Sequence, residues 1–171
     1  MTEALTYSIR TARSSDSDTV TALLIASYSR LLAAHYGSDA LNGALPYMTK
    51  VNPTLLSSGT YYVAEMEPDN IVGCGGWSIA RPGSGEIVEG EAHIRHLATH
   101  PEWVRQRVGT SLLARCFTDA RVRGIHKLNC FSSLNAEGFY RATGFETIGP
   151  INVAMTQNVT LPGTLMSREL L

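Results

Sequence analysis

Between residues 91 and 145 the chain alternates between strand-like and helix-like segments, and this alternation most restricts its possible folds. The sequence predicts a strand at residues 91–99, followed by a helix at 108–123, where apolar residues recur at helical spacing. A short apolar strand at 128–131 and a second helix at 135–143 come next. Two strands joined by a helix usually lie parallel in one sheet, because the helix returns the chain to its starting edge. We therefore expect a partly parallel sheet with helices on its faces.

The flanking segments extend this pattern at both ends. Alternating apolar residues or β-branched and aromatic residues predict strands at residues 7–12, 60–66, 71–79, 145–148 and 165–170. Apolar residues recur at helical spacing over residues 20–32, which predicts a helix. The same pattern is weaker over residues 38–58, where Gly43, Pro46 and Pro53 interrupt it. No repeat or linker divides the chain. The sequence thus predicts one α/β domain (mixed α and β) over residues 1–171, with a central mixed sheet of six to seven strands flanked by helices.

Composition and charge exclude several classes of function. The formal net charge is −1 and no block of like charge reaches five residues, which argues against a nucleic-acid partner. Cys74, Cys116 and Cys130 are far apart and form no C-x-x-C pair, so we expect reduced core thiols and no metal site. The N-terminus lacks a signal-peptide pattern, and no apolar stretch approaches the roughly 20 residues of a membrane-spanning helix. We expect a cytoplasmic protein with no membrane partner.

The loop that joins the strand at 91–99 to the helix at 108–123 has features of an anion site. Amides at the start of a helix have no intrahelical partner, and the helix dipole adds positive charge there. Gly109 would let a ligand approach the backbone closely, and Arg105 and Arg107 add charge beside it. Many such loops bind nothing, so these features alone favour a ligand only modestly.

Residues 132–145, with the sequence SSLNAEGFYRATGF, form a second distinctive segment. Asn135 stands at the expected start of a helix, and Gly144 suits a left-handed turn at its end. Considered alone, Phe139 and Tyr140 are explained as an aromatic core pair, although the Tyr140 hydroxyl is also a candidate proton donor.

Together the two segments resemble the signatures of the GNAT superfamily of acetyltransferases. The family's coenzyme A loop, Gln/Arg-x-x-Gly-x-Gly/Ala, falls on residues 104–109, where Gly109 supplies the final glycine. Val104 replaces the usual Gln or Arg, and Arg107 replaces the first glycine. The second segment resembles the other signature through its asparagine, its aromatic–tyrosine pair and its Gly-Phe ending.

The resemblance implies the GNAT fold and a reaction in which acetyl-CoA, as cosubstrate, acetylates a primary amine by direct attack in a ternary complex. It implies that Tyr140 protonates the departing thiolate. It also places coenzyme A on twelve residues: Leu97, Ala98, Thr99, Val104, Arg105, Gln106, Arg107, Val108, Gly109, Thr110, Asn135 and Tyr140.

The residue that accepts the proton of the amine is left open. A two-residue period places Glu91, His93, Arg95 and Leu97 on one face of their strand. His93 stands where some family members carry a glutamate base, and histidine suits that role at neutral pH. A structural histidine explains this residue at least as well. Glu91, acting through water, is the next candidate.

The acceptor is expected to be a small-molecule amine or a peptide amine, held by residues 28–47, 77–81 and 151–157. One alternative is a coenzyme A-binding regulatory module without turnover, which the departures at Val104 and Arg107 support. Another is a nucleotide-binding α/β enzyme, but the chain lacks G-x-x-x-x-G-K-[ST] and has no G-x-G-x-x-G after its first strand. A homodimer is left open.

Overall fold

A computed structural model describes residues 6–68 and 70–170 of the protein. Its seven strands form one sheet in the order β1-β2-β3-β4-β5-β7-β6. The strands are β1 (Ser8–Thr11), β2 (Tyr61–Glu67), β3 (Asn70–Ser78), β4 (Glu91–Thr99), β5 (Lys127–Ser132), β6 (Glu146–Ala154) and β7 (Thr160–Glu169). Neighbouring strands are antiparallel except β4 and β5, which are parallel. The predicted mixed sheet and order of elements are confirmed.

Helices cover both faces of the sheet. They are α1 (Ser17–Leu31), α2 (Ser38–Met48), α3 (Pro53–Leu56), α4 (Val108–Val122) and α5 (Glu137–Ala142). Helix α4 buries its apolar stripe, including Leu112 and Cys116, in a core on one face. Helix α1 buries Val20 and Leu24 in a separate core on the other face. No helix within the described residues is long and apolar enough to span a membrane.

Two regions differ from the sequence prediction. Helix α2 continues through Gly43 and Pro46, although Pro46 has no amide to donate to the carbonyl of Asn42. Leu41 and Ala44 also bury this helix against Leu161. In addition, β6 and β7 are longer than expected and pair along their whole length as a hairpin. Strand β6 lies at the sheet edge with mostly exposed side chains, so it carries little apolar alternation.

The two central strands separate after a short parallel ladder. Strands β4 and β5 pair only from Glu91–Lys127 to His93–Asn129. Beyond that point β4 stays paired with β3, and β5 stays paired with β7. A cleft therefore opens in the middle of the sheet, between the carboxyl ends of β4 and β5.

Strand β4 also contains a bulge just above the ladder. Two of its residues, His96 and Leu97, oppose the single residue Gly75 of β3. His96 adopts a left-handed φ of 44°. An extra residue in one strand bends that strand and shifts the alternation of its side chains.

The bulge corrects one sequence prediction. Leu97 packs against the core on the α4 face, together with Ala92 and Ile94. Side chains alternate along a strand, so His93, between Ala92 and Ile94, points to the opposite face. The predicted common face of His93 and Leu97 is therefore wrong, because the two-residue period does not continue through an inserted residue.

Candidate active site

The cleft between β4 and β5 opens into a cavity of about 430 Å³. Its walls come from α1, the bulged end of β4, the loop before α4, the first turn of α4, and α5. The predicted coenzyme A residues that line it are Leu97, Ala98, Thr99, Val104, Arg105, Arg107, Val108, Gly109, Thr110, Asn135 and Tyr140. Gln106 does not line the cavity, and its carbonyl accepts a hydrogen bond of 3.1 Å from the Tyr7 hydroxyl. Helix α1 also contributes Leu31, which was assigned from the sequence, with residues 28–47, to the amine acceptor and not to coenzyme A.

The loop before α4 has a tightly bent backbone. Arg105 and Arg107 have left-handed φ values of 65° and 61°. Helix α4 begins directly after Arg107, and its first residues Val108, Gly109 and Thr110 line the cavity. The free amides of this helix end and the two exposed guanidinium groups give this end of the cavity a positive potential. Such an end favours an anionic group.

Gly109 has a packing role in addition to any ligand contact. A methyl group at this position would lie 3.0 Å from Cζ of Phe139 and 3.4 Å from its Cε2. The absence of a side chain therefore lets the start of α4 touch α5. The sequence predicted only a close approach by a ligand.

Buried side chains hold the bulge of β4 from the α1 side. The Tyr61 hydroxyl donates to the carbonyl of His96 at 3.0 Å, and the Cys74 thiol approaches the same oxygen at 3.6 Å. The Tyr28 hydroxyl donates to the carbonyl of Leu97 at 3.4 Å. Sequence reasoning did not identify Tyr61 or Cys74 as part of the site. No local signal could have done so, because both contacts depend on the bulge.

Tyr140 lies on α5 with its side chain directed into the cavity wall. Its ring packs edge-on against Phe139 and Phe145, each with a centroid separation of 5.3 Å. Its hydroxyl makes no hydrogen bond to any residue that the structure describes. Burial raises the pKa of this phenol well above its usual range, so it holds its proton at neutral pH. Tyr140 is thus both a core aromatic residue and a part of the cavity.

Asn135 occupies the turn before α5 and does not begin the helix. The helix starts at Glu137, and Ala136 is its N-cap residue. The sequence prediction of the helix start was two residues too early, because a turn follows β5 first. Asn135 nevertheless lines the cavity.

The two candidate bases lie elsewhere. His93 and Glu91 line a second cavity of about 180 Å³, which shares no lining residue with the first. The Glu91 carboxylate pairs with Nζ of Lys127 at 3.5 Å. Burial, aided by the nearby Arg81 charge, lowers the pKa of His93 below its usual value. The imidazole is therefore neutral at neutral pH and able to accept a proton.

The three cysteines are free and buried. Burial raises the pKa of Cys74 and of Cys130 to about 12, and it also raises the pKa of Cys116. Thiols of this kind are not nucleophilic thiolates at neutral pH. Within residues 6–68 and 70–170, no group of three or more His, Cys, Asp or Glu side chains could hold a metal ion.

A family model for the acetyltransferase (GNAT) domain matches residues 57–147, which include β4, the loop before α4, and α5. The chain belongs to the GNAT family. Membership supports the transfer of an acyl group from coenzyme A as the general activity. No curated protein matches this GNAT sequence.

Solved structures support the GNAT fold along almost the whole chain. The chain is similar to a GCN5-related N-acetyltransferase from Rhodopseudomonas palustris, with 22% identity, 99% of each chain covered and a TM-score of 0.78. It is also similar to the PaiA N-acetyltransferase from Thermoplasma acidophilum, solved in complex with coenzyme A. That match has 17% identity, covers 96% of this chain and 99% of the other, and has a TM-score of 0.71.

Proposed function

We propose that the protein is an N-acetyltransferase that moves an acetyl group from acetyl-CoA to a primary amine by direct attack in a ternary complex. One observation carries this proposal. A single cavity contains the positive end of α4, the edge of β4 that has no strand partner beyond His93, and the unbonded hydroxyl of Tyr140.

The lining of this cavity fits acetyl-CoA. The amides at the start of α4, with Arg105 and Arg107, suit the phosphates of coenzyme A. Leu31 and Phe139 provide apolar walls, and the backbone of β4 at Ala98 lies along the cleft, where an amide-bearing chain could hydrogen bond. When bound, acetyl-CoA supplies an acetyl group activated as a thioester.

Tyr140 fits the role of proton donor to the leaving sulfur. Its phenol keeps its proton at neutral pH and has no competing hydrogen bond to a described residue. The buried, protonated thiols of Cys74, Cys116 and Cys130 do not suit a covalent intermediate, which supports direct attack by the amine.

His93 is our first candidate for the group that accepts the proton of the amine, and Glu91 acting through water is the second. Both residues line the cavity on the sheet face opposite α4, so the amine would approach the cleft from that face. The neutral imidazole of His93 favours it over Glu91, whose carboxylate is already paired with Lys127.

The second candidate function is a coenzyme A-binding regulatory module without turnover. The separation of His93 and Tyr140 into different cavities favours it, because catalysis requires donor and acceptor groups around one reacting centre.

Calorimetric titration with acetyl-CoA, with ATP and NAD as controls, tests the proposal first. A panel of amines is then followed by the release of free thiol. Selective binding with turnover supports the acetyltransferase, and selective binding without turnover supports the regulatory module. If a folded sample binds no acetyl-CoA, both functions are excluded.

A further inference from the structure

Two arginines lie in or near the second cavity: Arg81 lines it, and Arg95 stands two residues after the lining residue His93 on β4. The guanidinium group of Arg81 lies over the ring of Phe131, 5.2 Å from the ring centroid. Arg95 donates from Nη1 to Oγ of Ser78 at 3.0 Å. Neither arginine forms an ion pair with a carboxylate in the part of the chain that the structure describes. Both side chains are half-buried, so solvent screens their charge only in part.

Glu86 and Glu91 also line this cavity, but neither forms an ion pair with Arg81. Glu91 is already paired with Lys127. Glu86 is exposed to solvent, where its charge is largely screened. Arg81 is therefore the charged side chain of the lining that stays free to bind an anion. A carboxylate suits it well, because the planar guanidinium group can donate two parallel hydrogen bonds to one carboxylate.

The positions of these groups fit one small molecule. Arg81 and His93 line the same cavity, and its volume of about 180 Å³ suits a compact ligand. Arg95 lies on the same face of β4 two residues after His93, a rise of about 6.6 Å along the strand. Positive charge near an amine also favours its unprotonated form, which is the nucleophile.

We propose that the acetyl acceptor is a compact amine that carries a carboxylate, namely an amino acid or a close analogue. Arg81 binds its carboxylate, and its amine faces His93. This inference rests on the proposed function and names the substrate class of that reaction. In the transfer, a nitrogen–carbon bond forms at the acetyl carbonyl as the carbon–sulfur bond breaks. One amine proton goes to His93, and the sulfur takes a proton from Tyr140.

The test compares each of the common amino acids with its carboxamide, which has nearly the same shape but no negative charge. Thiol release and product mass are measured at saturating acetyl-CoA. We expect at least one amino acid to exceed its carboxamide about tenfold in kcat/KM. The Arg81→Gln variant should lose this preference, and Arg81→Lys should keep part of it.

Arg123→Gln is the matched control. Arg123 also stacks on an aromatic ring, 5.5 Å from the centroid of Trp77, but it belongs to the end of α4 and does not line the second cavity. This variant should keep the preference for the acid. In titrations of the coenzyme A-saturated protein, the accepted acid should bind about tenfold more weakly to Arg81→Gln than to Arg123→Gln.

The outcomes separate this inference from the proposed function. Equal rates for acids and carboxamides, or a preference for a diamine such as putrescine, overturn the inference and leave the acetyltransferase intact. The same holds if Arg81→Gln keeps the preference for the acid. If acetyl-CoA binds but no amine is acetylated, both the inference and the enzymatic function are overturned.

Discussion

The phenol of Tyr61 donates a hydrogen bond of 3.0 Å to the carbonyl oxygen of His96, the residue at which β4 bulges. Tyr61 is fully buried on the face opposite α4. The next two residues of β4, Leu97 and Ala98, line the cavity. A side chain with no place in the chemistry thus holds the backbone that borders the proposed cofactor site.

Removing this hydroxyl should lower catalytic efficiency as well as stability. In Tyr61→Phe we expect kcat/KM to fall about fivefold while unfolding free energy falls by about 1 kcal/mol. Steady-state kinetics and urea unfolding measure the two effects. Tyr62→Phe is the control, because the Tyr62 hydroxyl is bonded to Asp119 at 2.7 Å and belongs to the α4 face. That variant should lose at least as much stability with unchanged kinetics, because the Tyr62 hydroxyl also accepts a hydrogen bond of 3.2 Å from Nε1 of Trp77. Equal kinetic losses in both variants would contradict the role of Tyr61.

Tyr140→Phe should lower turnover much more than cofactor affinity. The proposed proton donor is lost, whereas the ring and its contacts with Phe139 and Phe145 remain. We expect kcat to fall about 100-fold while the dissociation constant of acetyl-CoA changes less than about twofold. Pre-steady-state thiol release and calorimetry provide the two readouts. Unchanged turnover would remove Tyr140 as the acid.

Arg107→Gly should stabilise the loop before α4 relative to Arg107→Ala. Both variants remove the same charge, but only glycine adopts the left-handed φ of 61° without strain. We expect the free energy of unfolding of the glycine variant to be about 1 kcal/mol higher than that of the alanine variant. Thermal unfolding should show a midpoint higher by about 2–4 °C. A more stable alanine variant would mean that the left-handed backbone carries no strain in solution.

The side chain of His96 should make stability depend on pH. Burial, together with the charge of Arg95, lowers the pKa of His96 from 6.5 to about 4. As pH falls through about 6.5 the unfolded chain binds a proton, whereas the folded chain binds it only near pH 4. This contribution to stability is therefore complete above pH 6.5 and is lost between pH 6.5 and 4.

The contribution of His96 to the pH dependence of stability can be measured with His96→Asn, because asparagine does not titrate and tolerates a left-handed backbone. Between pH 7 and pH 5 the native protein should lose about 2 kcal/mol more unfolding free energy than this variant. Urea unfolding at the two pH values measures the difference. Parallel losses in the two proteins would show that the imidazole is not protected from protonation in the folded state.

The fold could be predicted from the sequence wherever local pattern and tertiary structure agree. Helix α4 has one apolar stripe and ends where Gly124 adopts a φ of 80°, as its sequence indicates. Strand β6 was predicted only in part, because pairing with β7 creates it and its side chains are mostly exposed. The bulge at His96 was missed because the two-residue period was continued through Arg95 and His96, two adjacent polar residues that interrupt the alternation.

Some residues of the candidate site could likewise be predicted from local sequence, and others could not. The loop before α4 and Tyr140 belong to contiguous motifs, so short segments of sequence were enough to select them. The contact between Tyr61 and His96 joins residues 35 positions apart, and no local pattern encodes it. The assignment of His93 and Glu91 as candidate bases stays a prediction, because each is a single residue without a motif of its own.

The short ladder between β4 and β5 has a thermodynamic consequence for the whole molecule. Only the pairs from Glu91–Lys127 to His93–Asn129 join the two halves of the sheet by backbone pairing. Opening along this line would break few backbone hydrogen bonds, so resistance to this fluctuation rests mainly on the core that packs across the line on the α4 face. A ligand that contacts both sides of the cleft would suppress that fluctuation and, at about 100 times its dissociation constant, add about 2.7 kcal/mol of stability. Protection of the β4 and β5 amides from hydrogen exchange would then report ligand occupancy even under conditions in which no turnover occurs.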